Sequence, residues 1–121
     1  MINRTLLEFD TNIQQRTIKD KIKGKSWKRF YFYLERDFLP LFKDVDKFFC
    51  KWAVQETGRK IFFSPEKVPY AWEVTPEKKD YGMIVYIPRC HTRMMEISKG
   101  SRVSLRLVEL DMEKTGIFLS V

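Results

Sequence analysis

Side chains able to do chemistry are sparse in this chain. Its one histidine, His91, adjoins Cys90, while the other cysteine, Cys50, lies far upstream. Neither cysteine falls in a CxxC spacing, and a structural zinc site wants four ligands, so no metal is expected. A reducing cytoplasm would keep both thiols free rather than joined. A Cys–His nucleophile pair needs the two groups facing each other, and neighbours on a strand point to opposite faces, so Cys90 and His91 make a poor pair unless they lie in a turn. Asp44 and Asp46 are paired acids, but residues two apart on a helix do not share a face. No Gly-rich phosphate loop or dinucleotide fingerprint is present, and no carboxylate cluster of the two-metal kind. The expectation is a protein without catalysis, cofactor or metal.

Charge and aromatic rings remain. The chain carries 23 Lys and Arg against 16 Asp and Glu, a net charge of +7 and a pI near 9.5. Charge of this sign points to a polyanionic partner, usually nucleic acid, with plain solubility as the alternative. Residues 16–29 are the most basic window, with Arg16, Lys19, Lys21, Lys23, Lys25, Lys28 and Arg29 against Asp20 alone. It runs into Trp27-Lys-Arg-Phe-Tyr-Phe-Tyr-Leu34, a strand by composition. Alternation puts Phe30, Phe32 and Leu34 on a core face and Trp27, Arg29, Tyr31 and Tyr33 on the other. Cations interleaved with such rings suit base stacking along a single strand. Tyr and Trp also cap cores with their polar tips in water, and that second use is the commoner one.

A second basic cluster lies in residues 84–103. Ile84-Val-Tyr-Ile87 reads as a buried strand, which Pro88 stops because it has no N–H for a ladder. Residues 89–96 form a basic turn or short helix, Lys99-Gly100-Ser101 a turn, and a strand restarts at Arg102. Val103, Leu105 and Leu107 share one face of that strand. A polar turn over 111–115 and a last strand over 116–121 follow. On Ile87-Pro88, Arg89, Arg93, Ile97, Gly100 and Val103, the last third of the chain resembles the AbrB/MazE-type swapped-hairpin DNA-binding domains. Gly82 and the pair Met94-Met95 depart from that family's glycine position and leucine pattern. The resemblance implies an obligate homodimer with interleaved hairpins, acting as a duplex-DNA-binding transcription regulator or antitoxin. It places Arg89 and Arg93 against DNA, with Lys99 and Arg102 near the rim. Arginine suits both phosphate contact and bidentate reading of guanine.

The elements that must position these groups read as α+β, with two helices in the first half and a β-rich, barrel-like second half. Hydrophobic content of 44% and aromatic content of 15% supply a core. One expected helix starts at Asp10 or Thr11, has Thr11-x-x-Gln14 as a capping box, stacks Ile18 over Ile22 and ends at Gly24. The other spans 37–49, with Phe38, Leu41, Phe42, Val45, Phe48 and Phe49 at helical spacing and Pro40 in the first turn. Residues 51–55 and 60–64 read as a hairpin about Glu56-Thr57-Gly58-Arg59. The prolines of Ser64-Pro65-Glu66-Lys67-Val68-Pro69 mark the clearest break. They suggest an α+β segment over 1–66 and a β-rich unit over 67–121, or one compact domain. Residues 70–74 read as a short strand and 77–80 as a charged turn. No run reaches membrane-spanning length and the start lacks a signal-peptide pattern, so the cytoplasm is the expected location.

Three functions fit. The leading one is a duplex-DNA-binding regulator contacting phosphates and bases through the basic turn. The second is a single-stranded DNA or RNA-binding accessory protein, using Lys25, Lys28 and Arg29 on the backbone and Trp27, Tyr31 and Tyr33 on the bases. The third is a protein-binding inhibitor or adaptor of viral or plasmid type.

Overall fold

The computed structural model describes residues 2–55, 58–111 and 114–121. It is mostly β. Ten strands follow in chain order: β1 (Ile2–Asn12), β2 (Gln14–Asp20), β3 (Lys25–Glu35), β4 (Phe48–Gln55), β5 (Gly58–Ser64), β6 (Trp72–Val74), β7 (Glu77–Lys79), β8 (Gly82–Ile87), β9 (Arg102–Leu110) and β10 (Thr115–Ser120). The helical pieces among the described residues are a 3₁₀ segment, Arg36–Phe42, and the short helix α1, Arg89–Met94.

Both sheets are antiparallel. The larger has the order β1-β9-β10-β5-β4-β6, and the smaller β2-β3-β8-β7. One edge of each continues into the other. The chain passes from β1 to β2 through the buried Ile13, whose N–H donates to the Ser101 carbonyl at 2.8 Å and whose carbonyl accepts from Gly100 at 2.8 Å. Gly100 can make that approach because it takes φ +84°, where a Cβ would be strained. The second corner lies between β6 and β7, at Thr75 and the buried Pro76. The two sheets thus enclose one core. Phe32 of β3 meets Phe63 of β5 edge-on at 5.3 Å, and Phe63 meets Phe48 of β4 at 6.2 Å. Leu34, Val85, Leu105, Leu107, Ile117 and Leu119 complete its centre.

This architecture corrects the α+β reading. Residues 14–20, expected in a helix with an Ile18/Ile22 stripe, form β2, because every one of them pairs with β3. Gly24 does take positive φ, +66°, but in the β2–β3 turn rather than at a helix end. The expected 37–49 helix is a 3₁₀ segment followed by the start of β4. Phe42, Val45 and Phe48 of the expected stripe are buried and Phe38 and Phe49 partly so, but Leu41 is exposed, because the segment does not keep the helical period. Residues 77–79, expected as a turn, form the edge strand β7 against β8. The strand at Trp27–Leu34, the arrest of β8 at Pro88, the basic segment after it and the return strand at Arg102 are as expected. In the β4–β5 connection, Glu56 and Thr57 lie outside the described residues, as do Met112 and Glu113 of the polar turn before β10. The 64–69 segment links β5 to β6. Strands from before it pair with strands from after it: β1 with β9, β3 with β8, and β5 with β10.

Candidate nucleic-acid interface

The β2–β3 hairpin outruns its sheet. On the other side of β3, β8 pairs only from Phe30↔Ile87 onward to Glu35↔Gly82. Beyond Phe30 the ribbon continues through five further pairs, from Arg16↔Arg29 to Asp20↔Lys25. At about 3.4 Å per residue this makes a two-stranded arm of roughly 17 Å. Its tip is held by Asp20, whose carboxylate accepts the N–H groups of Ile22 at 3.0 Å and Lys23 at 3.3 Å, while its carbonyl accepts Gly24 N–H at 2.9 Å. The one acid of the arm is therefore engaged in building the turn.

At the base of the arm the chain supplies a second basic wall. β8 ends level with Phe30, Pro88 turns the backbone, and α1 lies beside the unpaired edge of β3. Between them runs a groove made of two adjoining clefts of about 430 and 390 Å³. Lys25, Trp27, Lys28 and Arg29 line the β3 side, and Arg89, Thr92 and Arg93 the helix side. Two sequence clusters some sixty positions apart thus become one surface, because β3 and β8 are neighbours. Thr92 is buried and donates its hydroxyl proton to the Arg89 carbonyl at 2.8 Å, which ties the first turn of α1 to itself. No ion pair holds Lys25, Lys28, Arg89 or Arg93 among the described residues.

The outer face of β3 is less open. Tyr86 is buried beneath Arg29, whose guanidinium carbon stands 3.9 Å from the ring centroid, and Tyr31 meets the same ring edge-on at 5.6 Å. Arg16 donates to the Tyr86 hydroxyl at 2.9 Å, and that hydroxyl donates to Glu77 at 3.3 Å. Arg16 also pairs with Glu77 at 3.6 Å; the Tyr86 hydrogen bond first, then the nearby negative groups, push its pKa further up. Tyr33 lies at the far end of β3, stacked on Tyr81 with its hydroxyl bonded to the Tyr81 carbonyl. Tyr31 and Tyr33 therefore have ring partners already, and only Trp27 of the three expected stacking rings borders the groove.

Lys99 and Arg102 do not line the groove. They flank the Gly100-Ser101 backbone that clasps Ile13, at the corner from which the arm springs. Arg102 is paired with Asp10 at 3.3 Å. Sequence reading overlooked Thr92, the Arg16–Tyr86–Glu77 network and the exposure of Ile22. A cue for the arm was present: Asp20-Lys-Ile-Lys-Gly24 is a turn signal directly ahead of a strong strand. No family model, curated protein or solved structure matches the chain.

Proposed function

We propose that this protein binds duplex nucleic acid, in the manner of a DNA-binding regulator, by laying its basic arm and the α1 groove along the phosphate backbone. The observation that carries this is where the charge sits. The arm and α1 hold nine of the 23 cations and one of the 16 acids, and the remaining 14 cations and 15 acids nearly cancel. A charge excess spread for solubility would not collect on one projecting ribbon and the groove at its base. Two-stranded ribbons are also among the elements that proteins place in the grooves of duplex DNA. Single-strand stacking is the weaker reading, because Tyr31 and Tyr33 already face other rings.

The test is fluorescence anisotropy of one labelled oligonucleotide, as duplex and as single strand, over a salt series. Each neutralised phosphate contributes about −0.9 to the slope of log affinity against log salt. Replacing Arg89 and Arg93 together with alanine is expected to weaken duplex binding and flatten that slope by about 2, and Lys25→Ala with Lys28→Ala to do the same. Unchanged affinity in both double variants, or no binding at low salt, removes the proposal. Preference for the single strand, lost in Trp27→Ala, transfers the function to the second reading.

A further inference from the structure

Ile22 is the most exposed aliphatic side chain at the tip of the arm, 95% accessible, between Lys21 and Lys23. Burying nothing at home, it stabilises nothing in the folded chain. The turn beneath it is nonetheless built: three N–H groups converge on Asp20, and Gly24 has the positive φ that closes the loop. The backbone thus holds one apolar group at the end of the ribbon with ammonium groups on either side. Lysines approaching phosphate would carry that group to the floor of a groove. On the floor of a minor groove, an aliphatic group finds an enclosing apolar surface when it enters between stacked base pairs.

Resting on the duplex-binding reading, we infer that Ile22 is a wedge that enters between two base pairs from the minor groove and bends the DNA. An aliphatic side chain inserted at a base step partly unstacks it and kinks the duplex by about 20–90°. The cost of unstacking is offset when the bent duplex meets more of the protein, here the α1 groove at the base of the arm. Lys21 and Lys23 serve the phosphates beside the opened step. The Asp20 carboxylate, accepting the N–H groups of Ile22 and Lys23, is kept from facing those phosphates as a free charge.

The experiment is resonance energy transfer between dyes at the two ends of a short duplex, saturated with the full chain, beside the salt series above. The wild type is expected to raise transfer. Ile22→Ser, at a position with no packing to lose, is expected to bind with the same salt slope and within about threefold of the wild-type affinity, yet leave transfer at the level of free DNA. Ile22→Leu should restore it. Equal bending by Ile22→Ser overturns the wedge and leaves the duplex-binding reading intact, as does a wild type that binds without bending. Failure to bind duplex at all removes both. Ile22-dependent binding to phosphatidylserine vesicles, with no effect on DNA shape, would make the tip a membrane contact and overturn the wedge equally.

Discussion

His91 shows how one residue's surroundings decide what it can do. It opens towards neither groove nor solvent: its ring is buried, Nε2 has no partner among the described residues, and Nδ1 lies 3.8 Å from Cys90 Sγ. Burial pushes its pKa down, and the backbone of Cys50 beside it offsets only part of that. Cys50 is itself fully buried, and burial, then the neighbouring Cys90, push its thiol far up, out of the range where a thiolate nucleophile forms. Burial thus biases both His91 and Cys50 towards their neutral forms. A depressed histidine pKa has a defined consequence for stability. As pH falls, the unfolded chain takes up the proton first, near 6.5, while the folded chain resists it. The contribution is therefore complete above about pH 6.5 and is lost below it, with a slope no steeper than about 1.4 kcal/mol per pH unit. Urea unfolding of the wild type and His91→Gln from pH 8 to 5 is expected to show a constant difference above about pH 7. Below about 6.5 that difference should move in favour of the variant.

At the scale of elements, the arm and the body have separate supports. From Arg16↔Arg29 outward the ladder is two-stranded, tied back to the body where Arg16 and Arg29 meet Tyr86 and Glu77, whereas from Phe30 onward β3 also pairs with β8. Replacing residues 17–28 with Asn-Gly, a turn suited to a two-residue hairpin loop, is expected to remove the strand content of the arm alone and to leave cooperative unfolding in place. Duplex affinity should fall steeply, and anisotropy with circular dichroism on the same sample reads both. The same division explains what sequence could deliver. β3 was legible because its alternation is strong and its composition aromatic. β2 was not: Ile18 and Ile22 stand one helical turn apart and Thr11-x-x-Gln14 imitates a cap, while the partner that settles the matter, β3, acts through tertiary pairing. In 37–49 the aromatic residues satisfy a helical period, yet Phe48 and Phe49 are drawn into the ladder with Val74 and Glu73. The cations of the site could be named from charge alone. Their convergence rests on Phe30↔Ile87, a pairing that no local pattern encodes.

The whole molecule is a ring of strands around one core, and that makes its two sheets energetically inseparable. The strand pairs that close it are distant in sequence, β1 with β9 and β3 with β8, so neither sheet completes itself from one end of the chain. Phe63 stands at the meeting point, fully buried, edge-on to Phe32 of the smaller sheet and to Phe48 of its own. Truncating a buried phenylalanine to alanine removes its transfer free energy and leaves a cavity, together about 3–5 kcal/mol. That is comparable to much of the stability of a domain this size, at about 0.05–0.15 kcal/mol per residue. Phe63→Ala is therefore expected to shift the urea midpoint sharply downward, whereas Ile22→Ser at the exposed tip should stay within about 0.5 kcal/mol of the wild type. The far-UV signal of the strands and the near-UV signal of the aromatic core should fall in one coincident transition for the wild type and for Phe63→Ala. Two separated transitions would mean that the sheets hold together independently. The arm would then be anchored in the smaller sheet alone, and binding a duplex would stabilise only that half; with one shared core, ligand at the arm raises the midpoint of the entire molecule.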